Sequence, residues 1–156
     1  PTSAHALKVL EAGADIVAFD CTDRKRPEPL ENIFVKIREK FPEKLIMADI
    51  ASFHDAENIL KLSPDILATT LSSYTEETVS RPKPDLELLK RLVNEFNIPV
   101  VAEGNYWEPK EVVKALDLGA YAVTVGSAIT RPHLITKRFN LAVENWNKKQ
   151  SVKSNL

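Results

Sequence analysis

Two acidic side chains stand at the ends of short apolar segments, which is where parallel-sheet enzymes place catalytic groups. Glu103 ends the segment Pro99–Glu103, and Asp49 ends the segment Lys44–Asp49. A carboxylate that closes an apolar strand is costly unless it contacts a partner or a substrate. Apolar residues precede both acids and small residues follow them, so we predict that both serve as acid/base or substrate-binding groups.

Other polar groups follow two further apolar segments. Asp20 ends one of them and precedes three consecutive cations, Arg24–Arg26. These cations form either a solvated loop or a group that reaches an anionic substrate, and the sequence leaves both interpretations open. Thr69 and Thr70 end the other segment, and they either line the same site or cap a loop.

Glycines in the last two strand–helix junctions indicate a phosphate site. Gly104 directly follows Glu103, and Gly126 ends the last apolar segment. Glycine permits close backbone approach to a ligand, and a helical turn opening at Ser127 would direct N–H groups at an anion. The alternative is that both glycines serve only tight turns. We predict phosphate binding by these loops, with further donors from Asn105, Ser127 and Arg131.

Five short apolar segments alternate with stretches of helical periodicity. Each is nearly continuous and ends in a polar residue or glycine, which is typical of parallel strands buried on both faces. The mean period is about 26 residues, which predicts a repeating helix–strand array. Ser52 with Asp55 predicts a capping box, and Pro109 predicts a first helical turn. The segments are Ile16–Asp20, Lys44–Asp49, Ile66–Thr70, Pro99–Glu103 and Ala122–Gly126.

Two α/β architectures fit such an array. An open doubly wound sheet usually carries a glycine-rich loop after its first strand, whereas the loop after Asp20 has no glycine. In a barrel the strand ends converge on one mouth, which explains their polar residues. We therefore predict a (β/α)8 TIM barrel that is incomplete in this chain, with about five βα units and without the first three strands. We predict a partial barrel domain over residues 1–147 and a polar tail over 148–156.

Composition excludes several classes of function. The net charge is −1 and the sequence has no basic run, so we expect no nucleic-acid partner. No apolar stretch approaches the length of a membrane span. Cys21 is the only cysteine, which excludes an internal disulfide, is consistent with a cytoplasmic protein, and indicates a packing residue. The three histidines have no ligand spacing, so we expect no metal.

The motifs together resemble the N-acetylmannosamine-6-phosphate 2-epimerase family. The resemblance implies a (β/α)8 barrel that interconverts N-acetylmannosamine 6-phosphate and N-acetylglucosamine 6-phosphate in cytoplasmic sialic-acid catabolism. It also implies that the reaction needs neither metal nor nucleotide cofactor. The motifs are Asp20–Pro27, Met47–Ile50, Ala68–Leu71, Val101–Asn105 and Gly126–Pro132.

The resemblance also implies roles for individual residues. Glu103 matches the catalytic glutamate of the family. The predicted substrate-binding residues are Asp49, Asp20, Arg24 and Thr70. The predicted phosphate-binding residues are Gly104, Asn105, Gly126, Ser127 and Arg131.

The family's second catalytic group is a lysine on its third strand, which no position here matches. We therefore expect the 156-residue chain to be inactive alone. We also expect it to form a homo-oligomer or to depend on a missing N-terminal segment. The alternatives are another phosphate-binding barrel enzyme, of the ribulose-phosphate epimerase or thiamin-phosphate synthase type, and a non-catalytic phosphosugar-binding module.

Overall fold

A computed structural model describes residues 1–153 and shows one sheet of five parallel strands. The strands follow one another in space in the same order as in the sequence, and each pairs with its successor in parallel. They are β1 (Ile16–Asp20), β2 (Leu45–Asp49), β3 (Ile66–Ala68), β4 (Val100–Glu103) and β5 (Ala122–Thr124).

Helices precede β1, connect the strands and follow β5. They are α1 (Ser3–Glu11), α2 (Leu30–Lys40), α3 (Phe53–Ile59), α4 (Leu86–Glu95), α5 (Pro109–Asp117), α6 (Ser127–Thr130) and α7 (Pro132–Lys153). A 3-10 turn, Leu60–Leu62, extends α3. The capping box of Ser52 and Asp55 is confirmed, and so is Pro109 in the first turn of α5.

The sequential strand order decides between the two architectures. A doubly wound sheet reverses its strand order at a switch point, and no reversal occurs among these five strands. Since parallel crossovers are right-handed, a sequential sheet carries all its connecting helices on the same face. The structure therefore confirms a fold of the TIM-barrel type, to which this chain contributes five strands.

The two faces of the sheet are packed differently. The outer face packs against the helices through a large core that includes Val17, Phe19 and Ile46. The other face, which we call the inner face, carries a small cluster of Met47, Ile66, Ala68 and Val101. Side chains alternate between the two faces along each strand, so each strand contributes to both.

Burial on both faces was expected for every strand, and this expectation is wrong for the edge strands and for the start of β2. All of β3 is buried, but Ile16 in β1 is 41% exposed and its neighbour Leu45 in β2 is 40% exposed, and Ala122 and Thr124 in β5 are exposed as well. An edge strand has a neighbour on one side only, so its inner-face side chains lack the packing that surrounds β3.

The long final helix is confirmed, although its apolar side chains do not pack into a core. Phe139 is 72% exposed and Trp146 is 60% exposed. The helix runs through Lys153, while residues 154–156 of the predicted tail lie outside the described part of the chain. The boundary at residue 147 therefore stays a prediction. Within residues 1–153, no helix is long and apolar enough to cross a membrane.

Candidate active site

Asp49 and Glu103 lie on the inner face at the carboxyl end of the sheet. Asp49 follows Met47 by two residues and Glu103 follows Val101 by two, so each acid shares a face with a member of the inner cluster. The charge of Glu103 raises the pKa of Asp49, which means that the two carboxylates interact. The two predicted acids therefore converge at the carboxyl end of the sheet.

Two consecutive threonines after β3 each contact one of these residues, Thr70 at the Asp49 carboxylate and Thr69 at the Glu103 backbone. The Thr70 hydroxyl donates to Asp49 Oδ1 at 2.8 Å. The Thr69 hydroxyl donates to the Glu103 carbonyl at 2.9 Å and accepts from the Glu103 backbone N–H at 3.0 Å. Because β3 lies between β2 and β4, this pair of threonines joins the ends of both acid-bearing strands.

The protonation of Asp49 is shifted toward neutral pH. Burial raises its pKa to about 6, the Thr70 hydrogen bond lowers it in part, and the Glu103 charge raises it further. A buried carboxyl resists ionisation because the charged form loses its hydration. Asp49 is therefore ionised above about pH 6 and holds a proton below it, which suits a group that binds or exchanges protons near neutrality.

A cavity of about 440 Å³ opens beside Glu103. Gly104, Asn105, Gly126 and Ser127 line it, and these are four of the five predicted phosphate-binding residues. The lining also includes Thr70, Thr124, Leu71, Ala128 and the aromatic side chains of Tyr74, Tyr106 and Trp107. The structure thus places the catalytic candidate and most of the phosphate candidates around one space.

The two glycines of this cavity differ in what surrounds them. Gly104 has φ +101°, and a Cβ there would lie 3.2 Å from the Thr70 carbonyl oxygen. A Cβ on Gly126 would meet no heavy atom within 4 Å. Gly104 therefore serves a tight turn against the β3 loop, whereas Gly126 leaves open space beside the start of α6.

Four predicted residues lie outside this cavity lining, and Asp49 is one of them, although it contacts Thr70, which lines the cavity. Asp20 is in register with Asp49, but its carboxylate accepts from the N–H and hydroxyl of Thr22 and pairs with Arg24. Arg24 lines two other cavities near the β1 and β2 loops. Arg131 ends α6 and is exposed. Their roles in binding stay predictions.

Sequence reasoning missed how two residues organise this end of the sheet. Thr69 was expected either to line the site or to cap a loop, and its contact with the Glu103 backbone was not predicted. Asp55 was predicted in a capping box, but it also accepts from the Asp23 N–H at 2.9 Å and so ties the loop after β1 to the loop after β2. The capping pattern signals the local contact, whereas nothing in the sequence signals a contact 32 residues away.

Cys21 is buried at the end of β1. Burial raises the pKa of its thiol to about 12, with the nearby Asp49 charge acting in the same direction. The thiol is therefore neutral at physiological pH and packs as a small apolar side chain. Among residues 1–153, no three His, Cys, Asp or Glu side chains are grouped so that they could hold a metal ion.

Comparison with known proteins gives these features a context. Residues 4–145 match the family model described as "Putative N-acetylmannosamine-6-phosphate epimerase". The chain belongs to this family. A relative from Caldanaerobacter subterraneus, named "Putative N-acetylmannosamine-6-phosphate 2-epimerase", is 50% identical over 141 residues, covering 89% of this chain and 60% of its own.

Solved structures agree with the family and the fold. The structure of N-acetylmannosamine-6-phosphate 2-epimerase from Clostridium perfringens has a TM-score of 0.84 and 42% identity, covering 90% of this chain and 61% of its own. Thiamine phosphate pyrophosphorylase from Pyrococcus furiosus has a TM-score of 0.59 and 26% identity, covering 82% of this chain and 55% of its own. The chain thus spans about 60% of the length of the curated relatives it matches.

The raised pKa of Asp49 predicts a pH-dependent effect of Asp49→Asn on stability. The ordinary pKa of an aspartate is 3.8, and in the folded state the pKa of Asp49 is about 6. The folded state therefore loses stability relative to the unfolded state as the pH rises through this interval. Asparagine removes this cost and keeps an oxygen that accepts from Thr70. We expect Asp49→Asn to raise the free energy of unfolding by about 1–2 kcal/mol at pH 8 and far less at pH 4.

Urea unfolding at the two pH values, followed by circular dichroism, measures this difference. Glu43→Gln is the matched control, because Glu43 lies exposed in the turn between α2 and β2. We expect the control to shift stability equally at both pH values. Equal effects of Asp49→Asn at pH 4 and pH 8 would contradict the assignment.

Proposed function

We propose that this chain carries part of the active site of an N-acetylmannosamine-6-phosphate 2-epimerase, with Glu103 as one of its two proton-transfer groups. The observation that carries the proposal is the single cavity that Glu103 shares with Gly104, Asn105, Gly126 and Ser127. Membership of the epimerase family supplies the reaction.

The reaction inverts the configuration of a carbon next to a carbonyl, so it needs groups that remove a proton from this carbon and return one to it. Once the sugar ring opens, the C2 proton is acidic because its loss gives an enolate stabilised by the C1 carbonyl. The Glu103 carboxylate exchanges a proton on one face of C2, and a second group does so on the other face. By resemblance that second group is a lysine, which no residue of these five strands matches.

The remaining residues fit roles in holding the substrate. In α6 the N–H groups of Ile129 and Thr130 donate to the Gly126 carbonyl, whereas those of Ser127 and Ala128 lie in the first turn, where a helix offers no acceptor, and both residues line the cavity. These first-turn groups, with Asn105 and Ser127, are suited to a phosphate. Asp49 is proposed to bind sugar hydroxyls, and its hydrogen bond to Thr70, which lines the same cavity as Glu103, supports this role.

We also propose that the protein works in the cytoplasm on a phosphorylated amino sugar. The neutral, buried thiol of Cys21 suits a reducing compartment. A thiamin-phosphate type of activity is not favoured, since the thiamine phosphate pyrophosphorylase is less similar in both sequence and structure than the epimerases.

Glu103→Gln tests the catalytic assignment. The substitution keeps the size of the side chain but removes its proton-transfer capacity. We expect turnover to fall by about 10²–10⁴-fold with little change in substrate affinity. The measurement uses residues 1–156 placed behind the N-terminal part of the Caldanaerobacter relative that this chain does not cover, and follows conversion of N-acetylglucosamine 6-phosphate into N-acetylmannosamine 6-phosphate.

Glu43→Gln in the same fusion is the control, and we expect it to retain full activity. The 156-residue chain assayed alone is expected to show no epimerisation. Retained epimerisation in the Glu103→Gln fusion would overturn the role of Glu103, and epimerisation by the isolated chain would overturn the need for a second group outside it.

Gly126→Ala tests the phosphate assignment separately. The added methyl group meets no protein atom within 4 Å, so we expect the free energy of unfolding to change by less than about 0.5 kcal/mol. The same methyl group projects beside the proposed phosphate site, and we expect it to weaken binding of N-acetylglucosamine 6-phosphate by about tenfold. Isothermal titration calorimetry and urea unfolding measure the two quantities. Unchanged affinity would exclude Gly126 from the phosphate site.

The exposed edges predict that the chain does not remain a monomer. Within residues 1–153, β1 and β5 each have a strand neighbour on one side only, and Phe139 and Trp146 are exposed on α7. Unpaired strand edges and exposed apolar side chains promote association. We propose that a second copy or a further segment of polypeptide covers them. Light scattering of the 156-residue chain is expected to show a mass above 17.5 kDa, and a clean monomer would contradict this.

A further inference from the structure

Where the backbone hydrogen bonds between β3 and β4 end, the Thr69 side chain makes the next hydrogen bonds between the two strands. The last backbone bond of this pair runs from the Thr69 N–H to the Val101 carbonyl at 3.1 Å. Beyond it, the Thr69 hydroxyl both donates to the Glu103 carbonyl and accepts from the Glu103 N–H. One side chain therefore satisfies both backbone groups of the residue that carries the catalytic carboxylate.

Thr70 makes the matching contact toward the other neighbouring strand. Its hydroxyl donates to Asp49 Oδ1 at 2.8 Å. Thr70 follows Ala68 by two residues, so it belongs to the inner face, like Asp49 and Glu103. It also lines the cavity that contains Glu103.

We propose that Thr69 and Thr70 are positioning residues, which hold the Glu103 backbone and the Asp49 carboxylate at a fixed separation across the end of β3. Thr69 acts on Glu103, and Thr70 acts on Asp49. The catalytic consequence rests on the proposed epimerase function, whereas the two contacts themselves do not.

This inference changes the role predicted for Thr70. A hydroxyl carries one proton, and that proton is already donated to Asp49. Toward a substrate Thr70 therefore offers only an acceptor, and its main effect is to orient Asp49 and to favour its ionised form.

Burial and one neighbouring charge act on the pKa of Asp49 in the opposite direction. Asp20 on β1 is in register with Asp49, but its carboxylate pairs with Arg24, and the adjacent Cys21 thiol is neutral. Glu103 on β4 adds a like charge. Burial and like charge both disfavour the Asp49 carboxylate, so the loss of the Thr70 hydrogen bond leaves these effects unopposed.

The first test titrates Asp49 in the 156-residue chain by carbon-13 NMR of its carboxyl carbon. Thr70→Val keeps the shape of the side chain and removes the hydroxyl, and we expect the Asp49 midpoint to rise by about one pH unit. Thr70→Ser keeps the hydroxyl and is expected to restore the wild-type midpoint. An unchanged midpoint in Thr70→Val, or an equal rise in Thr70→Ser, would overturn the role of Thr70.

The second test measures amide hydrogen exchange at Glu103. Thr69→Val removes the acceptor of the Glu103 N–H, and we expect exchange at this amide to quicken by about tenfold or more. Thr69→Ser is expected to preserve the protection. Amides inside α2 serve as the internal reference, since global destabilisation would quicken them as well. Equal exchange of Glu103 in Thr69→Val and in the wild type would overturn the role of Thr69.

Variants that lose chemical-shift dispersion are replaced by Thr69→Ala or Thr70→Ala, which remove the same hydroxyl with a smaller side chain. Neither measurement uses a substrate. Failure of the positioning proposal is thus read from these spectra, while failure of the epimerase proposal is read from epimerisation by the Glu103→Gln fusion.

Discussion

The arrangement of this protein depends on one constraint, the sequential parallel order of its strands. Because every crossover is right-handed, the connecting helices cover one face, and all strand ends with their polar residues lie along one edge. The helices pack against that face in the large core, where Leu89 of α4 and Phe19 of β1 are both buried. The inner face carries only a small apolar cluster next to Asp49 and Glu103. Polar side chains at these two positions therefore displace little of the apolar packing that stabilises the fold.

Much of this arrangement is readable from the sequence, because strand segments and helix starts are local patterns. The end of β2 at Asp49 and of β4 at Glu103, the capping box at Ser52 and the helix start at Pro109 were all predicted correctly. Burial of β1 and β5 was not, since apolar content reveals what a strand can bury and not which neighbours are present to bury it.

The site was predictable in its parts and not in its connections. Glu103 and Gly104 are adjacent in sequence, and Gly126 follows the next strand, so their common cavity follows from strand order. The hydrogen bonds that Thr69 makes to Glu103 join residues 34 apart in sequence, and only register decides which hydroxyl meets which strand. Arg131 was predicted to bind phosphate because of its position in a motif, but it does not line the cavity.

Neutral hydroxyls suit the support of these acids better than cations do. Glu28 in the same chain accepts from Lys36 and from Ser3, and the Lys36 ammonium group is the main reason that its pKa falls to about 2. A carboxylate held in that way keeps its charge at any physiological pH and cannot exchange protons. Asp49 is oriented by a hydroxyl and is partly buried, so its pKa stays near 6. A threonine thus fixes the position of an acid while leaving its proton affinity within reach of neutral pH.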